Sequence, residues 1–300
     1  MIPGLSIGVM IFAALCALII PIGLMLFFEK KFTLNVIPFF AGCGTMLLFA
    51  LVLEQMCHMF ILSTPVGDAI VASPLLTALY GGIMAGIFEE CGRFITMKFV
   101  LKSKHDDDHN ALMYGAGHGG FEVFYLLVVT SLSTLPIAYL NNTGRTDLIL
   151  DPLEEADRIV MEQSLVTMRE ASAFEYALPV VERLAAVAAQ IALSVIVWFA
   201  VTRKDKIKYL FFAILLHALL DFIPSFINSL NINIWLIEFI IWIMSALYVF
   251  IAWKIWKANY REPVPAEEVV EEVSEVSAGS SIGQIAKMSV SDDESVDDDR

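Results

Sequence analysis

Seven long apolar stretches constrain this chain more than any other feature, because each could cross a lipid bilayer as a helix. A spanning helix needs roughly 20 mainly apolar residues. The stretches lie at residues 5–28, 36–62, 75–101, 111–140, 180–201, 207–230 and 232–256. Only 17% of the 300 residues are charged, whereas soluble domains carry roughly 25%. The sequence therefore predicts an all-α, polytopic transmembrane helical bundle of about seven spans.

Lysine and arginine residues near the ends of the stretches predict how the bundle is oriented. Short loops rich in these residues stay on the cytoplasmic side. Basic residues close the first, third, fifth and seventh stretches: Lys30, Lys31, Lys98, Lys102, Lys104, Arg203, Lys204, Lys206, Lys208, Lys254, Lys257 and Arg261. The connections at 63–73 and around Asn228 carry none. The pattern predicts an N-terminus outside and a C-terminus in the cytoplasm, with every basic loop on one side.

Composition divides the chain into a membrane domain, residues 1–257, and an acidic tail, residues 258–300. The tail contains much of the acidic excess behind the formal charge of −14. Such a segment cannot bury enough apolar surface to fold, so we expect it to be disordered and solvated. Its acidity also argues against nucleic-acid binding. The one long connection, 141–179, is predicted on the outer side, as a surface helix or as a lid over the site.

Ionisable residues inside the third, fourth and sixth stretches are the main clue to function. A charged side chain at the bilayer centre costs at least ~2.5–3.5 kcal/mol, so such residues are usually functional. Three stretches each carry a pair spaced four residues apart, which places both members on one helix face: Glu89 and Arg93, His118 and Glu122, His217 and Asp221. At ~1.5 Å per residue the pairs lie ~10–18 Å from the cytoplasmic ends. The pattern predicts one shared polar site.

Two chemistries suit these side chains. Two histidines and a carboxylate are a common ligand set for catalytic zinc, with one position left open for water. His118, His217 and Glu122 are the candidate ligands, and Glu89 or Glu90 would take the proton from the bound water. Without a metal, a buried glutamate could activate water together with a histidine.

Other readings of the polar residues remain open. Arg93 would balance the charge of the adjacent glutamates, which could not both stay ionised in hydrocarbon alone. Glu54 and His58 are expected to form a satisfied interhelical hydrogen bond. Glu182 and Arg183 are as consistent with an ion pair at the membrane interface as with a place in the site. The clustered pairs would also suit an ion or proton path.

Four motifs in this sequence resemble a known protein family. They are FEECGR at 88–93, GAGHGGFE at 115–122, ER at 182–183 and HALLD at 217–221. Together they resemble the YhfC family of intramembrane metalloproteases and, more distantly, the CAAX-protease and bacteriocin-processing superfamily and the PrsW group. The likeness runs from about Pro74 to the seventh stretch.

This resemblance implies roles for particular residues. Glu89 or Glu90 would activate water with Arg93 as partner, and both histidines would be catalytic or bind metal. Asp221 stands where CAAX-type enzymes carry an asparagine thought to hold the oxyanion. An ionised aspartate would repel that oxyanion, so Asp221 is expected to be a metal ligand, a partner that orients His217, or protonated.

The sequence as a whole predicts an intramembrane endopeptidase that uses glutamate- and histidine-activated water with metal assistance. The predicted catalytic residues are Glu89, Glu90, Arg93, His118, His217 and Asp221; the predicted ligands of a possible Zn²⁺ are His118, Glu122 and His217. The expected partners are the lipid bilayer and a membrane-associated peptide or protein substrate. The expected location is the plasma membrane, or an ER-type membrane in a eukaryote. The alternatives are an ion- or proton-coupled transporter that uses the same groups, and a scaffold that sorts partners through its tail.

Overall fold

The computed structural model describes residues 1–105 and 107–262, and every regular element within them is helical. The helices are α1 (Gly4–Phe32), α2 (Ile37–Leu62), α3 (Pro65–Val71), α4 (Pro74–Leu101), α5 (Asn110–Asn142), α6 (Asp147–Leu150), α7 (Glu155–Glu170), α8 (Ala173–Thr202), α9 (Lys208–Ser229) and α10 (Ile234–Asn259). Six of them, α1, α2, α5, α8, α9 and α10, are long and apolar enough to cross a membrane. The pair α3 and α4, bent by 111° at the break between them, makes a seventh if the two helices form one span. The predicted fold class is confirmed: this is an integral membrane protein.

The predicted connection at 141–179 is shorter than expected, because both flanking helices extend into it. Helix α5 continues to Asn142, and α8 begins at Ala173. The start of α8 is fixed by a capping box, in which Ser172 and Glu175 each bond the other's backbone N–H. Such a cap satisfies two N–H groups that a helix end leaves free. The connection also contains α7, a helix of the kind predicted there, and its first turn is acidic.

Helix α8 lies at the centre of the bundle. Its second half, from Ala189 to Val201, is buried almost without interruption. Helices α1, α4, α5, α9 and α10 all pack against it. The outer helices, in contrast, expose large apolar side chains such as Phe12, Leu132 and Phe239. In a membrane protein such an apolar surface faces lipid, which offers no hydrogen-bond partner. The polar side chains of the bundle therefore have to be paired inside it, near α8.

Glycines bring the site-bearing helices together. A Cβ atom at Gly82 or Gly86 would collide with the backbone of α9, at the carbonyl oxygen of Ala218 for Gly82 and of Ile214 for Gly86. A Cβ at Gly117, next to His118, would collide with the backbone of α2 at Phe39. Small residues allow this close approach between membrane helices. The space beside His118 is therefore filled by a neighbouring helix.

Gly82 and its neighbour Gly81 offer a matched test of this packing. Gly82→Ala should lower the melting temperature in detergent by several degrees, because the new methyl group must push α4 away from α9. Gly81→Ala should leave the melting temperature unchanged or raise it, since nothing lies within 4 Å of that position and alanine favours a helix over glycine by ~1 kcal/mol. Equal effects of the two substitutions would contradict the packing.

The bundle has two distinct ends. At one end, Phe32 stacks on His109 with ring centroids 4.1 Å apart, and His109 also meets Trp256 at 5.4 Å. The basic helix ends gather here, as Lys102 Nζ donates to the carbonyl of Val201 at 3.0 Å. The N-terminus lies at the opposite end, where the side chain of Asn142 bonds both backbone groups of Ile2. Basic helix ends and N-terminus are thus separated, as predicted.

Two predictions are not tested by the fold. The assignment of the basic end to the cytoplasm stays a prediction. The acidic tail predicted for 258–300 lies outside the described residues from position 263 onward.

Candidate active site

The most deeply buried part of the site is a charged pair on α4. Glu90 and Arg93 are both 0% exposed. Arg93 Nη1 donates to both oxygens of Glu90, at 2.8 and 2.9 Å. Glu90 Oε1 also lies 2.6 Å from Nδ1 of His217, on α9. A buried carboxylate is tolerated only when it is paired in this way. Of the two predicted partners of Arg93 on α4, the structure pairs it with Glu90 and not with Glu89.

Glu89 occupies the position between the two histidines. Its Oε2 lies 2.9 Å from Nε2 of His118, on α5. Its Oε1 lies 3.7 Å from Nε2 of His217. Helices α4, α5 and α9 therefore bring one carboxylate and two imidazoles together, as the sequence predicted. His118 is fully buried behind the carboxylate, and its Nδ1 has no hydrogen-bond partner in the described structure.

Gln190, on α8, connects polar groups of two other helices, α4 and α5. Its Oε1 accepts from Arg93 Nη2 at 2.5 Å. Its Nε2 donates to Glu122 at 2.9 Å and lies 3.2 Å from Glu89 Oε2. Gln190 was not among the predicted site residues, because its amide is not ionisable. The available signal was a lone amide in the alanine-rich stretch of the most buried helix.

Glu122 and Arg183 form a second charged pair, between α5 and α8. Arg183 Nη1 donates to Glu122 Oε1 at 2.5 Å, and Nη2 bonds the carboxylate of Glu182. The pair Glu182 and Arg183 therefore belongs to the site and is more than an interfacial ion pair. Glu122, in contrast, faces Arg183 and Gln190, and in the described structure no hydrogen bond joins it to His118, although the two share a helix face.

A cavity of about 320 Å³ lies in front of these groups. Its wall is polar on one side, with Glu89, Glu122, Glu182, Arg183, Gln190, His217 and Asp221. Apolar residues such as Leu51 and Pro224 complete it. Tyr125 and Leu126 also line it and are 40% and 37% exposed, so the cavity reaches the surface of the bundle beside α5. A cavity of this volume has room for several water molecules.

Asp221 faces this cavity from α9. Its Oδ2 lies 3.7 Å from Nε2 of His217, beyond hydrogen-bond distance. Its side chain is 43% exposed, although it lies within the membrane-spanning part of the bundle. The structure thus brings Asp221 to the predicted site as a carboxylate open to the cavity.

Glu54 and His58, on α2, form no hydrogen bond with these groups in the described structure, although Glu54 is near enough to interact by charge with Glu89, His217 and Asp221. His58 Nε2 lies 3.2 Å from Glu54, and its Nδ1 lies 2.8 Å from the hydroxyl of Tyr80 on α4. Neither residue lines the cavity. The expected satisfied hydrogen bond is present, between α2 and α4.

Known proteins are similar to this chain over the segment that carries the site. Residues 16–241 match the model of a family described as YhfC intramembrane metalloprotease. The chain belongs to the YhfC family. The matched segment contains every site residue described above. An uncharacterized membrane protein YhfC from Bacillus subtilis (strain 168) is 34% identical to this chain over 239 residues, which are 78% of this chain and 90% of the relative. No solved structure matches. The family description favours a membrane protease over a transporter.

The YhfC family description implies a metal ion. A protein site for catalytic zinc needs three ligand side chains close together. Among residues 1–105 and 107–262, no three histidine, cysteine, aspartate or glutamate side chains are arranged to hold a metal ion. The predicted set of His118, Glu122 and His217 is not assembled, because Glu122 is bound to Arg183 and Gln190. A cation placed beside Glu122 would compete with a guanidinium. In this arrangement His118, Glu122 and His217 do not form the predicted zinc site.

Proposed function

We propose that this chain is an intramembrane endopeptidase that hydrolyses a peptide bond with water activated by Glu89. The observation that supports this most strongly is a carboxylate between two imidazoles on the wall of a cavity within the bundle. A glutamate or histidine positioned next to a reacting group is the usual means of general acid–base catalysis. The opening beside Tyr125 and Leu126 suits a substrate that arrives within or next to the bilayer.

Glu89 is the proposed general base. It lines the cavity, and His118 and Gln190 hold its Oε2 from the protein side. In the proposed reaction a water oxygen attacks the peptide carbonyl carbon while Glu89 takes the water proton. The C–N bond then breaks, and Glu89 returns the proton to the leaving amine. His118 acts as a positioning residue, because it does not line the cavity.

His217 is the proposed partner of the substrate carbonyl. Its Nδ1 is held by Glu90, which leaves Nε2 on the cavity side, near Glu89 and Asp221. As an imidazolium, His217 would donate from Nε2 to the oxygen that becomes negative in the transition state. Glu90 and Arg93 would position His217 and compensate its charge, without touching the substrate.

No step of this mechanism is assigned to a metal, because the predicted ligand set is not assembled. Glu89 and the two histidines are nonetheless the residue types that hold catalytic zinc in other proteins. Because no proposed step needs a metal, we expect purified protein to cleave peptides in the presence of a strong zinc chelator. Cleavage that stops on chelation and returns with added zinc would replace this mechanism by a metal-dependent one.

Cleavage by histidine variants tests the proposed function. Wild-type protein would be reconstituted into liposomes with a library of membrane-spanning peptides, and products would be identified by mass spectrometry. His118→Gln and His217→Gln should give no detectable product, because each removes a ring that contacts Glu89 or the substrate. His58→Gln is the matched control and should retain cleavage, since His58 lies outside the cavity. Cleavage by folded His217→Gln at the wild-type rate would refute the assignment.

A further inference from the structure

The site carries more negative charge than its own cations can compensate. Its carboxylates are Glu89, Glu90, Glu122, Glu182 and Asp221. The groups that face them are the guanidiniums of Arg93 and Arg183 and the imidazoles of His118 and His217. Even with both imidazoles protonated, one negative charge remains. Within a membrane-spanning bundle an uncompensated charge is costly.

The unmatched charge lies on the Asp221 side of the cavity. Arg93 is bonded to Glu90, and Arg183 is shared between Glu122 and Glu182. The nearest cationic group to Asp221 is the Nε2 of His217, which is 3.7 Å away and equally close to Glu89. Asp221 is thus the most exposed of these carboxylates and the one without a close cationic partner.

A sixth carboxylate adds to the excess. Glu238, on α10, is only 6% exposed, and its Oε2 has no hydrogen-bond partner in the described structure. The charged groups near it are Glu182 and Arg183, both of which line the cavity. Ile241, one turn further along α10, lines the cavity as well. A buried carboxylate oxygen without a partner indicates that a donor is missing on this side of the site.

We infer that the cavity selects a substrate with a lysine or arginine side chain next to the scissile bond. This inference rests on the proposed function and names its substrate class. The basic side chain would lie between Asp221 and Glu182, where it would supply the missing positive charge and donate to the carboxylates of the cavity wall. Charge complementarity of this kind determines partner choice, because a substrate with a like charge is rejected.

Three peptides that differ at one position test the inference. Membrane-spanning peptides with lysine, norleucine or glutamate beside the scissile bond would be offered to wild-type protein in liposomes. Norleucine has nearly the length of lysine but no charge. The lysine peptide should be cleaved at least roughly tenfold more efficiently than the norleucine peptide, and the glutamate peptide least. Asp221→Asn should reduce the lysine-to-norleucine ratio of kcat/KM towards one, whereas Asp68→Asn, on α3 and outside the cavity, should leave it unchanged.

The outcomes separate this inference from the proposed function. Equal cleavage of the lysine and norleucine peptides, or a ratio unaffected by Asp221→Asn, would overturn the selectivity and leave the peptidase intact. Lysine-selective binding of labelled peptides without cleavage would support the cationic subsite and overturn the peptidase. Stoichiometric bound metal together with no selectivity would show that a metal ion supplies the missing charge, and would overturn the inference.

Discussion

Replacement of Glu89 by glutamine should lower the rate of peptide cleavage by roughly 10²–10⁴-fold, which is the usual contribution of a general base. Glutamine has the shape of glutamate and can still bond His118 and Gln190, but it cannot accept a proton from water. Single-turnover cleavage of a fixed peptide in liposomes measures this effect. The fold should survive, because the substitution removes a charge from a site that has an excess of carboxylates.

Glu54→Gln is the matched control for this substitution. Glu54 is also a buried glutamate within the bundle, only 6% exposed, but it does not line the cavity. Its variant should cleave within a few-fold of the wild-type rate. A folded Glu89→Gln variant as active as Glu54→Gln would exclude Glu89 as the base.

Replacement of Arg93 by methionine should destabilise the protein by ~3–5 kcal/mol, the usual cost of removing one partner from a buried ion pair. Glu90 would lose both hydrogen bonds from Nη1, and Gln190 would lose its donor. Both Glu90 and Arg93 are fully buried, so water could not replace these bonds. Unfolding by denaturant in detergent micelles measures the change.

A second substitution distinguishes lost charge balance from lost packing. Adding Glu90→Gln to Arg93→Met removes the unpaired carboxylate, so the double variant should recover much of the lost stability. The recovered stability would not restore cleavage, because His217 would lose the carboxylate that holds its Nδ1. An Arg93→Met variant as stable as the wild type would show that the pair contributes little.

The spans could be predicted from sequence because their signal is local. The predicted stretch 36–62 differs from α2 (Ile37–Leu62) by one residue at its start, since hydrophobic length alone determines where a helix enters and leaves lipid. The early start of α8 depends on a capping box outside the apolar run. The short helix α3 and its bend against α4 depend on contacts between elements, which hydropathy does not report.

The location of the site was predicted from sequence, but its pairings were not. Helical spacing showed that His118 and Glu122 share a face, and both do point into the bundle. Their partners, however, lie on other helices: His118 meets Glu89 on α4, and Glu122 meets Arg183 on α8. Spacing determines which face of a helix is polar, whereas the packing of neighbouring helices determines which atoms meet.

Two members of the site carried no signal that a search for spaced ionisable pairs would detect. Gln190 is neutral, and its role follows only from its position between Arg93, Glu89 and Glu122. Glu238 is a single acid in an apolar stretch, and no other ionisable residue lies within four positions of it. Its proximity to Glu182 and Arg183 results from the packing of α10 on α8.

The most direct test of the central claim is the fate of the oxygen atom of water. Wild-type protein in liposomes would process a membrane-spanning peptide in water enriched in oxygen-18. If Glu89 activates water for peptide hydrolysis, each new C-terminal carboxylate should contain one heavy oxygen, and Glu89→Gln should form this product at least roughly 10²-fold more slowly. Folded wild-type protein that releases no labelled product from any peptide of the library, but conducts ions through the same carboxylates, would contradict the account.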